Sequence, residues 1–84
     1  MSRQSKLIER FKSKPSDFKW NELERLLSAL GYEPAKQGKT GGSRRRFVHP
    51  EAPIISLHKP HPGQILKRYQ VEQILNTLTL EGLI

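Results

Sequence analysis

One apolar stripe governs how this chain can fold. Trp20, Leu23, Leu26, Leu27 and Leu30 recur at spacings of three and four, with Asn21, Glu22, Glu24 and Arg25 filling the opposite side. That is the period of an amphipathic α-helix. Its early acids suit the positive end of the helix dipole, and Gly31 stands where a left-handed C-cap is wanted. Beyond Gly31 the pattern changes. Pro34, the turn Gly38-Lys39-Thr40-Gly41-Gly42, the turn Pro50-Glu51-Ala52-Pro53 and the run Lys59-Pro60-His61-Pro62-Gly63 cut the chain into pieces of strand length. Residues 32–37 read as a strand that Pro34 confines to an edge or a late start, and residues 43–49 and 54–58 as a hairpin. A last helix is expected over residues 69–78, with Val71, Ile74, Leu75 and Leu78 on one side. Leu80, Leu83 and Ile84 should then fold back onto the core. Ahead of the stripe, Leu7, Ile8 and Phe11 mark a short helix over residues 5–13, which Lys14-Pro15 ends. The predicted order of helix, helix, three antiparallel strands and helix is an α+β two-layer sandwich, with one sheet face on the helices and the other open.

Eighty-four residues suffice for one domain with a modest core. The domain is expected to span residues 1–84, with 1–18 an N-terminal extension that carries the short helix. Charge narrows the partners. Fifteen Lys and Arg against eight Asp and Glu give a net charge of +7, an excess that calls for an anionic partner such as nucleic acid, an acidic protein or an anionic surface. The absence of cysteine excludes disulfides and thiolate metal sites and suits a reducing compartment. No stretch approaches the roughly 20 apolar residues of a spanning helix. A soluble, cytoplasmic chain with no membrane association is expected.

The basic residues cluster. Between Pro34 and Val71 lie Lys36, Lys39, Arg44, Arg45, Arg46, Lys59, Lys67 and Arg68, opposed only by Glu51. Any one lysine reads as a solvated surface residue; the window as a whole reads as a polyanion-binding face. On a strand, Arg44 and Arg46 point one way and Arg45 joins the side of Phe47. Phe47 is the core residue, so Arg45 must snorkel or pair at an edge. Arg44 and Arg46 would project from the open face, where guanidinium forks match phosphate oxygens; protection of an edge strand by charge is the plainer alternative. The glycine-rich turn of residues 38–43 can cradle a phosphate with backbone amides, but it lacks the Walker spacing and its strand–loop–helix context. His49, His58 and His61 end the window. An imidazole can take a proton from a ribose 2′-hydroxyl or protonate a leaving 5′-oxygen. It can equally serve as a structural hydrogen-bonding group. No zinc spacing stands out, and no metal or cofactor is expected.

These residues resemble a known family. The run from Leu23 to Gly31, then Gly42-Ser43 and a basic strand ending Phe47-Val48-His49-Pro50, then Pro60-His61-Pro62-Gly63, then a terminal helix with Ile74-Leu75, looks like the HicA toxins over about residues 20–84. The resemblance implies a fold like a double-stranded-RNA-binding domain, with a three-stranded sheet flanked by helices. It further implies an mRNA interferase, an endoribonuclease acting on messenger RNA, and a HicB-type antitoxin that covers the active face. The family's catalytic histidine stands just after the Gly-Ser pair or one residue later, and here those positions hold Arg44 and Arg45. An arginine stays protonated and is a poor general base, though it can bind phosphate or stabilise a charged transition state. Catalysis would then fall to His61 or His58. RNA contacts are expected from Lys39, Gly42, Ser43, Arg44, Arg46, Lys59, Lys67 and Arg68, on a chain that is monomeric when free. The alternatives are an RNA-binding module that does not cut, and a basic face that docks an acidic protein.

Overall fold

The computed structural model describes residues 3–35, 44–60 and 63–84. Along them run α1 (Arg3–Lys12), α2 (Trp20–Ala29), β1 (Glu33–Pro34), β2 (Arg44–Val48), β3 (Ile55–His58) and α3 (Arg68–Leu80). The three strands form an antiparallel sheet in the order β1-β2-β3. The α+β architecture is therefore the one the residue pattern implies, with a fold consistent with the double-stranded-RNA-binding type.

Helices α2 and α3 end in the same backbone device. At α2, the Gly31 N–H donates to Ser28 O (3.1 Å) and the Tyr32 N–H to Leu27 O (2.9 Å), with Gly31 at φ +98°. At α3, Gly82 donates to Thr79 O (3.1 Å) and Leu83 to Leu78 O (2.9 Å), with Gly82 at φ +72°. These are Schellman motifs, each satisfying two carbonyls that the helix leaves open. The second one corrects an expectation. Leu83 and Ile84 pack against the core, but Leu80 is 76% exposed. It belongs to the last turn of α3, two residues past the buried Leu78 and so on the far side of the helix, and the chain reverses only at Gly82.

The helix starts also match each other. Lysine has no acceptor with which to cap a helix, and Lys19 and Lys67 hold the N-cap positions of α2 and α3. Glu22 and Gln70 supply the other half of a capping box, each accepting the N-cap backbone N–H at 3.0 Å. The two starts lie side by side. Trp20 N–H donates to Gln64 O (2.7 Å), and Leu66 N–H donates to Phe18 O (2.8 Å).

Sheet and helices meet in one core that includes Trp20, Leu23, Leu26, Leu27, Phe47, Ile55, Leu57, Val71, Ile74 and Leu78. The Trp20 and Phe47 rings, 27 residues apart in sequence, sit with centroids 5.8 Å apart across the layer boundary. Helix α1 enters the same core. Phe11 is fully buried, with its ring centroid 4.9 Å from that of Phe18, and Leu7 and Ile8 are half-buried beside it. Arg10 fastens α1 outside the core, donating to Glu22 Oε2 (2.7 Å) and Asp17 Oδ1 (2.8 Å), with its guanidinium 5.1 Å from the Phe18 ring centroid.

His49 locks the turn after α2. Its Nδ1 accepts the Glu51 N–H (2.9 Å), which leaves Nε2 to donate to Leu30 O (3.0 Å). Its ring also lies 4.8 Å from that of Tyr32. Both ring nitrogens are therefore structural. A Cβ on Gly31 would stand 2.8 Å from His49 Nε2, on a backbone already in the left-handed region. Gly31→Ala should thus lose about 3 kcal/mol, combining roughly 1–2 for the left-handed alanine with the His49 contacts it displaces. A thermal melt should show Tm lower by roughly 12–24 °C; a shift within a few degrees would mean the turn relaxes freely. Beside it, burial first and the Glu81 carboxylate second push the Tyr32 hydroxyl above its ordinary pKa. The folded chain holds that proton more tightly than the unfolded one. The associated stability is full below the unfolded value and falls as pH rises through the folded one.

Candidate nucleic-acid interface

Cross-strand register decides what the open face presents. Arg44 pairs with His58, Arg45 with Leu57, Arg46 with Ser56 and Phe47 with Ile55. Directly opposed residues share a face. Phe47, Ile55 and Leu57 are buried, so Arg44, Arg46, Ser56 and His58 all project from the other side, where they are exposed. Val48 and its partner Glu33 complete that face at the end far from His58. The hydrogen-bonding phase follows from one contact. The Ala35 N–H donates to Arg46 O (2.9 Å), so the backbone groups of Arg46 point toward β1 and those of Arg45 and Phe47 toward β3. Arg44↔His58 and Arg46↔Ser56 are then non-hydrogen-bonded pairs, in which side chains approach most closely. Consistent with that spacing, Arg44 Nη1 lies 3.4 Å from Ser56 Oγ, on the diagonal.

Arg45 behaves as its register requires. It is half-buried on the Phe47 side and curls back, with Nη1 donating to the Arg44 carbonyl at 3.4 Å. Because β2 is the middle strand, charge on it does not serve to guard the edge of the sheet.

Gln70 extends the basic surface beyond the sheet. It is 4% exposed, and its Nε2 donates to His58 O (2.9 Å) while its Oε1 accepts the Lys67 N–H (3.0 Å). One side-chain amide thereby ties the end of β3 to the first turn of α3, and brings the exposed Lys67 and Arg68 toward the His58 end. Lys59, half-buried, follows directly on β3. Arg68 shares Glu72 with Lys14, at 3.9 and 3.8 Å. The cluster thus gathers Arg44, Arg46 and His58 on one face, with Lys59, Lys67 and Arg68 at its rim. Lys39, Gly42, Ser43 and His61 lie outside the described residues. Gln70 was missed at the sequence level: a polar residue three positions after a lysine signals nothing until the carbonyl it serves, twelve residues away, is known.

Among the described residues, no group of three His, Cys, Asp or Glu side chains is placed to hold a metal, and no helix is long and apolar enough to cross a membrane. Neither curated proteins nor solved structures gave a match. A protein family described as the HicA toxin of bacterial toxin–antitoxin systems matches residues 20–80, which covers α2, α3, the three strands and the basic face. With most of the chain matched and the sheet and helices in the expected order, this protein belongs to the HicA toxin family and is the toxin of a toxin–antitoxin pair.

Proposed function

We propose that this toxin acts on messenger RNA, holding its backbone on the open face of β2 and β3 and cleaving it without a metal, until a HicB-type antitoxin covers it. The observation that carries this reading is the pairing of Arg44 with His58, both exposed on one sheet face. A cation that cannot deprotonate stands next to a side chain that can accept a proton. In the proposed reaction His58 takes the proton of a ribose 2′-hydroxyl. The oxygen attacks the adjacent phosphorus, the P–O5′ bond breaks, and a second proton donor, for which His61 is the candidate, protonates the leaving 5′-oxygen. The products are a 2′,3′-cyclic phosphate and a 5′-hydroxyl. Arg44 and Arg46 balance the charge that builds on the phosphate oxygens. Lys59, Lys67 and Arg68, with Lys39, Gly42 and Ser43, would hold the flanking phosphates. The site is built within one domain, residues 1–84, and is complete in the monomer.

A second reading keeps the RNA and drops the chemistry. It is favoured by one fact: Arg44 and Arg45 occupy the positions where the family places its histidine. Unrestrained expression separates the two: a cutting toxin should arrest growth and leave truncated messages with cyclic ends, whereas a binder should be tolerated and leave messages intact. The shared claim, that RNA is held here, is tested by salt. Replacing Arg44 and Arg46 together with glutamine should shrink the slope of log K against log salt by about 1.4, because each lost single-strand phosphate contact removes about 0.7. An unchanged slope would place the RNA elsewhere.

A further inference from the structure

The face described above leaves one side of the sheet unexplained. Since Leu57 and Ile55 direct their backbone groups to β2, the N–H and C=O of Ser56 point the opposite way, out from the free edge of β3. Among the described residues no strand pairs with that edge. On the same edge Gln70 already engages His58 O, which shows that the outward carbonyls can be reached by a partner. Between the edge and α3 runs a groove lined by Ile54, Ser56, Gln70, Gln73, Ile74 and Thr77. Gln73 and Thr77 are one helical turn apart, and Tyr69 continues their row one turn earlier. Ile54 at one end is 59% exposed and Tyr69 at the other is 53% exposed. Apolar anchors thus stand at both ends of a strip of open backbone.

We infer that the antitoxin docks here by adding one extended, acidic segment to the edge of β3. This rests on the toxin–antitoxin reading and is independent of whether the toxin cuts RNA. An extended segment would satisfy the Ser56 backbone groups, lay alternate side chains over Ile54 and Tyr69, and end beside Lys59, Lys67 and Arg68. None of the residues lining the groove is charged, and the cations at the Tyr69 end select against another strongly basic chain. Two copies of a chain carrying +7 repel. An acidic segment is drawn in and, once seated, lies next to the His58 end of the RNA face.

The test co-expresses the full toxin with the product of the adjoining gene of its locus and measures capture and affinity. Ile54→Asp places a like charge against the segment at an already exposed position. Ser56→Pro removes an outward N–H that the β2–β3 ladder does not use. Each should weaken capture about thirtyfold or more, the size of an interface hot spot, with melting curves close to those of the parent. Thr77→Arg provides a third probe of the groove if the proline variant fails to fold. The inference is overturned if Ile54→Asp and Thr77→Arg are captured like the parent, or if the free toxin dimerises through this edge. It is also overturned if only the Arg44→Gln, Arg46→Gln double variant loses capture, which would confine the antitoxin to the RNA face and leave the β3 edge unused. A parent toxin that is captured but does not bind RNA would instead remove the RNA reading and leave this one standing.

Discussion

Phe11→Ala is expected to remove about 3–5 kcal/mol, the range for deleting a fully buried phenylalanine. A domain of this size has about 5–15 kcal/mol in total, so a large share of the cooperative stability should go. The reason lies in where α1 sits. Phe11 has no exposed surface and meets Phe18, while Arg10 is clamped between Asp17 and Glu22. We therefore propose that residues 1–18 are a structural part of the domain rather than a detachable lead. Deleting them exposes the apolar ends of α2 and α3 and should give a chain without a sharp denaturation transition. Urea titration followed by circular dichroism reads both effects. A loss under about 1 kcal/mol for Phe11→Ala would fit a surface substitution and would make α1 peripheral.

The second large effect concerns chemistry. Under the proposed reaction, His58→Ala should slow RNA cleavage by about 10²–10⁴-fold, the usual worth of a general base, while leaving RNA affinity within about threefold, since one side chain among several phosphate contacts is lost. The fold gives a clean reason to expect that separation. Gln70 is anchored by the backbone carbonyl of His58, not by its ring, so the alanine variant keeps the link between β3 and α3. Undiminished cleavage by His58→Ala would pass the role of base to His61. Arg44→His, which places a histidine at the position the family resemblance implies, should raise cleavage if the side chain of residue 44 faces the reacting phosphate.

What the residues disclosed in advance was local. The leucine stripe and Gly31 needed only helix periodicity and the steric freedom of glycine, and both were readable. So was the division of Arg44 and Arg46 from Arg45, because strand alternation depends on nothing beyond the strand itself. Pro34 told of an edge, and the register shows why: it sits at a non-hydrogen-bonded position of β1, where the missing N–H is not needed. Long-range facts were hidden. Three apolar residues in a ten-residue helix give no measure of depth, so the full burial of Phe11 was not legible. The structural role of His49 was hidden, since its two partners are backbone atoms, one of them nineteen residues away. Leu80 misled because its hydrophobicity continues the helix pattern while the Gly82 turn decides which residues return to the core.

The central claim is that RNA lies on the β2–β3 face. Backbone amide shifts of ¹⁵N-labelled His58→Ala protein, titrated with a short single-stranded RNA, test it most directly. Changes centred on Arg44, Arg46, Ser56 and residue 58, fading toward Glu33 and spreading to Lys59, Lys67 and Arg68, are the expected result. Changes confined to the helical side, around Lys12 and Arg25, would contradict it.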